Sequence, residues 1–243
     1  MIFSVHIPKT AGTSFRRALE ERFGSRLALY YGVKDPKTTE GLRVPREEVP
    51  AAAARLAEQG YEVLHGHYPL RLVAPLITDA SAQVWTWLRD PVDRTISQFD
   101  FYRERPLELK ALAGRVKAGE FDLDDFAKIK GVRDLQTRYL KGFALSQLAF
   151  VGIVEQFELG LALLFGDRAP ELKRRYNATD QRSRADADQR TRIAELNARD
   201  MQLYAEGLRL FVDRLAAASD VSAPERPTAA GSTLVKRLMR KVA

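Results

Sequence analysis

Apolar positions along the 243-residue chain follow two rhythms. Short runs rich in β-branched and aromatic residues, at 2–6, 61–64, 83–88 and 150–154, predict strands buried on both faces. Helical stretches are predicted over 14–23, 51–59, 92–104, 122–140 and 189–216. In the last of these, Ile193, Leu196, Tyr204, Leu208, Phe211 and Leu215 keep mostly three- and four-residue spacing. Strands that alternate with helices imply right-handed crossovers. The expected class is therefore α/β, three-layered, with a central parallel β-sheet flanked by helices.

Ligands of such sheets gather at the carboxyl ends of the strands. Three predicted strands end in chemically capable residues: His6-Ile7-Pro8-Lys9, His65-Gly66-His67 and Arg89-Asp90-Pro91. The first, HIPKTAGTS at 6–14, is a strand-to-helix turn. The opening amides of a helix have no partners within it, and they favour an anion. Gly12 permits close backbone approach, Thr13 and Ser14 offer hydroxyls, and Lys9 adds a positive charge, a set that suits phosphate or sulfate. The order G-x-x-x-x-G-K-[ST] of ordinary nucleotide-binding loops is not met, because the lysine precedes the glycine. The plainer alternative makes Thr13 a helix cap and Lys9 a solvated charge.

At the third strand end, Asp90 suits an N-cap and Pro91 a first helical residue. Ser97 then lies about two turns into the helix, on a face shared roughly with Arg94 and Phe101. Arg89 brings the fork geometry that matches phosphate, or else forms a structural pair with Asp90. His65 and His67 fall on one side of their strand if it continues through both.

Composition narrows the field. There are no cysteines, which excludes disulfides and thiolate metal sites, and the three histidines argue against a histidine-rich metal site. A net charge of +7 and a pI near 9.7 point to an anionic partner, without choosing among nucleic acid, acidic membrane, acidic glycan and phosphorylated cofactor. No tripartite secretory pattern and no run of about 18 apolar residues is present, so the expected location is cytoplasmic.

The proline- and charge-rich segment 34–50 is expected to be a surface loop, either bordering the site or a plain connection. The arginine-dense stretch 173–192 either closes over a nucleotide, attracts an anionic acceptor, or is a solvated basic loop. Residues 219–231 have linker composition. The last twelve residues, 232–243, set Leu234, Val235, Leu238, Met239 and Val242 against Lys236, Arg237, Arg240 and Lys241. They form either a basic amphipathic helix for peripheral contact with an anionic membrane or partner, or a frayed tail.

Residues 6–14 followed by WLRDPVDRTISQFDF at 87–101 resemble the sulfotransferases that use 3′-phosphoadenosine 5′-phosphosulfate (PAPS). The resemblance is nearest to the carbohydrate branch that contains the heparan sulfate 2-O-sulfotransferases and their bacterial relatives. HGHY at 65–68, LQTRYLKG at 135–142 and FVGIVEQFELGLALL at 150–164 extend it over roughly 2–215. It implies a P-loop-like sulfotransferase fold, with a catalytic domain over 1–218. It also implies that Lys9, Thr10, Ala11, Gly12, Thr13 and Ser14 hold the 5′-phosphosulfate, and Arg89 and Ser97 the 3′-phosphate. His67 becomes the base, Lys9 stabilises the leaving group, His65 supports acceptor orientation or hydrogen bonding, and His6 braces the turn. The implied acceptor is a carbohydrate or glycolipid hydroxyl and the spent donor is adenosine 3′,5′-bisphosphate; no metal is required and no nucleic acid is expected. Two other classes remain open: a kinase or NTPase with a divergent phosphate loop, and a non-catalytic polyanion-binding module.

Overall fold

In a parallel sheet, short strands whose side chains alternate between two apolar faces need cover on both. The computed structural model describes residues 1–78, 81–104, 111–170 and 183–221. It contains five such strands: β1 (Ile2–Val5), β2 (Leu27–Tyr30), β3 (Val63–Gly66), β4 (Gln83–Leu88) and β5 (Phe150–Ile153). Every pairing is parallel, in the order β2-β3-β1-β4-β5. The central strand β1 sets Ser4 opposite His65 on one side and opposite Trp85 on the other.

Helices cover both faces. Phe3, Val5, Leu64, Val84 and Val151 share a core with Ala52, Ala53 and Leu56 of α2 (Val49–Glu58) and Phe211 of α9 (Ala198–Val221). α9 lies close to the sheet: a β-carbon on Gly207 would come 2.6 Å from Leu88. On the other face Val63, Trp85, Trp87 and Phe150 pack with Phe15, Ala18 and Leu19 of α1 (Gly12–Phe23) and Leu161 of α7 (Phe157–Phe165). A separate core joins α3 (Pro91–Glu104), α4 (Ala111–Lys117), α5 (Leu123–Lys128) and α8 (Ala187–Leu196) through Ile96, Phe99, Val116, Phe126 and Ile193. The three-layer α/β arrangement expected from the sequence is therefore present.

Four local expectations are corrected. The edge strand β2 was not predicted; its sequence, Leu-Ala-Leu-Tyr, carries no β-branched residue to mark it. The segment expected as one helix over 122–140 is two, α5 and α6 (Leu135–Leu140), parted at Asp134 with a left-handed φ of 45°. The helix expected over 189–216 is interrupted at Asn197. The stretch assigned to a linker from 219 is helical through Val221; the rest of it and the tail 232–243 lie outside the described residues.

The two interruptions meet in space. Asn197 Oδ1 accepts the Asp134 amide at 3.0 Å, and Asp134 Oδ1 accepts the Asp200 amide at 3.2 Å. The buried Asp200 carboxylate in turn takes the amides of Gln136 at 3.0 Å and Thr137 at 2.7 Å, and the Thr137 hydroxyl at 2.7 Å. α6 and α9 thus begin on each other, each filling the other's unsatisfied first turn. Segment 34–50 is likewise fastened rather than loose. Thr39 Oγ1 accepts the Leu29 amide, Thr38 Oγ1 accepts the Tyr31 amide, and Leu42 is fully buried.

Candidate functional site

β1 is followed by a connection to β2 on one side of the sheet, and β4 by a connection to β5 on the other. The crevice between the carboxyl ends of β1 and β4 is where a ligand is expected in such a topology. The chain leaving β1 turns sharply there: Lys9 has φ 71° and Ala11 φ 58°, left-handed values that cost a non-glycine residue about 1–2 kcal/mol each. Thr10 is buried and its hydroxyl donates to the Ile7 carbonyl at 2.9 Å, fixing the turn from within. Ala11 is the N-cap of α1 and supplies no side-chain acceptor to it. Thr13 lies inside the helix, so the plainer alternative that made it a cap is not met.

Gly12 has no room for a side chain, since a β-carbon there would fall 1.7 Å from Nε2 of His6. The His6 ring is thus pressed under the start of α1, which agrees with a bracing role. It also lies between two other imidazoles. Its centroid is 4.0 Å from that of His67 and 5.3 Å from that of His65, at interplanar angles of 27° and 14°. Face-to-face rings do not aim their nitrogens at one point, and among the described residues no group of three or more potential ligands is placed to hold a metal ion.

The three imidazoles differ in what their surroundings permit. His65 is 1% exposed, with Nδ1 2.8 Å from the Ser4 hydroxyl and its ring beside Phe15. Burial, reinforced by the charges of His67 and Arg16, pushes its pKa down to about 3, so it stays neutral. Such burial closes the His65 ring off from solvent. His6 is also held well below the ordinary histidine value, by burial first and then by His67, His65, Lys9 and Arg16.

His67 is half-buried, and its Nδ1 lies 2.8 Å from the His6 carbonyl oxygen. A carbonyl only accepts, so Nδ1 carries the proton and the neutral ring holds its lone pair on Nε2. His67 lies one residue beyond β3, yet its amide still bonds to the Tyr30 carbonyl at 2.9 Å.

From the other side, Arg89 Nη1 donates to the Lys9 carbonyl at 3.2 Å. The Arg89 backbone is held by Gln136, whose Oε1 accepts the Arg89 amide at 3.0 Å and whose Nε2 donates to the Arg89 carbonyl at 2.9 Å. Asp90 caps α3 as expected, taking the Asp93 amide at 2.9 Å. The Asp90 amide donates to Glu155, which also receives the Tyr204 hydroxyl, so the ends of β4 and β5 and α9 are tied together.

The segment from His6 to Lys9 is therefore touched by His67 on one flank and Arg89 on the other, and all three predicted strand ends meet there. Lys9 Nζ lies 4.1 Å from the centre of the Phe101 ring, which brings the α3 face bearing Ser97 and Phe101 to the loop. Arg94 does not share that face. It is fully buried, donating to Gln98 at 2.7 Å and to the Val132 carbonyl at 2.8 Å, with a pKa lowered by desolvation to about 10.

Sequence reasoning missed three members of this neighbourhood. Tyr31 follows the unpredicted β2 and turns its ring edge to His67, with centroids 5.0 Å apart. Burial raises its phenol pKa, so it remains protonated. Gln136 and Asp200 act through partners 47 and 64 residues away, which no local pattern reveals. Of the arginine-dense segment, 173–182 lies outside the described residues. Beyond it, Ser183 binds the buried Asp100 carboxylate, and Arg190 pairs with Asp93 at 2.9 Å. A shallow depression lined by Gln83, Trp85, Leu164 and Arg214 sits at the opposite, amino-terminal end of β4, remote from these groups.

No protein-family profile matches the chain, and no curated protein matches it in sequence. Among solved structures it is similar to the crystal structure of mouse sulfotransferase SULT7A1 complexed with PAP, at 14% identity and a TM-score of 0.43. The match covers 80% of this chain and 62% of that one, so the chain spans less than two thirds of that protein's length. No helix among the described residues is long and apolar enough to cross a membrane.

Proposed function

We propose that this protein transfers a sulfuryl group from PAPS to a hydroxyl of a carbohydrate or glycolipid. One observation carries the reading: the loop from His6 to Lys9 binds a histidine of defined tautomer through the His6 carbonyl and an arginine through the Lys9 carbonyl. In this reading a base and a cationic anion site share one four-residue segment. Both contacts join stretches that resemble the PAPS-dependent family: residues 6–14 meet HGHY at 65–68 in the first and the segment 87–101 in the second.

In this reading Lys9, Thr10, Ala11, Gly12, Thr13 and Ser14 would hold the 5′-phosphosulfate, and Arg89 and Ser97 the 3′-phosphate. The acceptor oxygen attacks sulfur as the bond from sulfur to the bridging phosphate oxygen breaks. His67 Nε2 takes the hydroxyl proton, and adenosine 3′,5′-bisphosphate leaves with the electron pair. Lys9 and the amides at the start of α1 meet the charge that develops on the leaving phosphate, in a setting where a single donor is worth about 10²–10³ in rate. His6 and His65, kept neutral by burial, do not compete with His67 for the proton.

Calorimetric titration with adenosine 3′,5′-bisphosphate, ATP and GTP tests the donor site, and transfer of radiolabelled sulfate from PAPS to a panel of glycans and glycolipids tests the reaction. Binding of the bisphosphate in preference to both triphosphates is expected. Preference for ATP, with no response to the bisphosphate, would return the protein to the kinase class.

A further inference from the structure

We propose that Gln136 is a positioning residue of the donor site, holding Arg89 where its guanidinium meets the 3′-phosphate. This rests on the PAPS reading above and adds a residue to which that reading gives no role.

Arg89 stands one residue past the end of β4, where the ladders to β1 and β5 have stopped. Its backbone donor and acceptor both need partners, because an unpaired buried peptide group is costly. The Gln136 side chain supplies both at once, at 3.0 and 2.9 Å, in the manner of a single peptide unit from an additional strand. The orientation of its amide is dictated: the Arg89 amide can only donate and the Arg89 carbonyl can only accept. An apolar residue could fill the same volume, and an acid could serve only half of the pair.

Gln136 is itself fixed. It is fully buried, and its backbone amide is bound by the Asp200 carboxylate in the mutual cap of α6 and α9. A continuous chain of contacts therefore runs from α9 through Asp200, Gln136 and Arg89 to the Lys9 carbonyl in the loop. Of the two phosphate positions in the PAPS reading, Gln136 bears directly on the one assigned to Arg89. Loss of its amide should weaken recognition of the 3′-phosphate selectively.

The test is calorimetric titration of wild type, Gln136→Met and Gln136→Asn with adenosine 3′,5′-bisphosphate and with adenosine 5′-monophosphate, which lacks the 3′-phosphate. Wild type should favour the bisphosphate. In Gln136→Met that preference should fall about tenfold while monophosphate affinity stays within about twofold, as expected for a misplaced charge-assisted contact. Gln136→Asn keeps both polar groups but is one methylene too short to span them, so it should lose preference in the same direction; it also serves if the methionine variant does not fold. An unchanged preference in both variants, or an equal loss for both nucleotides, would overturn the positioning role. A wild-type protein indifferent to the 3′-phosphate would instead overturn the PAPS reading, and this inference with it.

Discussion

His67 Nδ1 stands 2.8 Å from the carbonyl oxygen of His6, so the base candidate is aligned by the backbone of the loop beside which it would act. Because that partner is a main-chain group, side-chain substitution at His6 leaves the hydrogen-bond acceptor in place, whereas substitution at His67 removes the lone pair.

For His67→Ala, turnover should fall by about 10²–10⁴ while affinity for adenosine 3′,5′-bisphosphate changes little. Steady-state kinetics alongside calorimetry separates the two. A variant that keeps wild-type turnover would transfer the base role elsewhere.

Lys9→Ala and Arg89→Ala should each weaken bisphosphate binding, by about ten- to a hundredfold for loss of a charge-assisted contact. Arg89→Lys should recover little, since an ammonium cannot both reach the Lys9 carbonyl and present a planar fork. Titration of the three variants under one buffer decides this.

The imidazole column predicts a pH dependence of stability. His65 titrates at about 3 in the folded chain, and His6 is also lowered, both because they are buried. Between about 6.5 and 3 the unfolded chain takes up protons that the folded chain refuses, so stability is complete above about 6.5 and declines as pH falls. The slope should approach about 1.4 kcal/mol per pH unit for each buried histidine. Urea unfolding at pH 7, 6 and 5 measures it, and His65→Asn should flatten the curve; an identical slope in that variant would contradict the assignment.

Gly12→Ala should destabilise by about 1–3 kcal/mol, because the new methyl group overlaps the His6 ring. Adding His6→Ala should restore part of the loss. A double-mutant cycle with no coupling would show that the ring and the helix start do not press on one another.

The sequence revealed most of what neighbours in the chain decide. Four strands, the Asp90–Pro91 helix start and the three chemically loaded strand ends all follow from apolar runs and cap chemistry within a few residues. β2 escaped because Leu27 to Tyr30 lacks branched residues and depends on pairing with β3. Asp134 and Asn197 escaped for the same kind of reason: neither is a strong helix breaker alone, and each interruption is stabilised by the other across 63 residues. Gln136 belongs to a resembling motif, but the motif does not reveal its partner, Arg89, which lies 47 residues away. Arg94 shows the converse, a residue that helical spacing sets roughly on the face of Ser97 and Phe101 but that turns inward to satisfy the Val132 carbonyl.

The place of β1 at the middle of the sheet has a consequence for biosynthesis. Ile2 pairs with Val63 and Gln83, so this segment leaves the ribosome well before either neighbour exists. At about 5–20 residues per second, Phe3 and Val5 wait roughly 3–12 seconds for the first of them. Throughout that interval the apolar strand has neither of the neighbours that bury it, so the centre of the sheet is among the last parts of the fold to close.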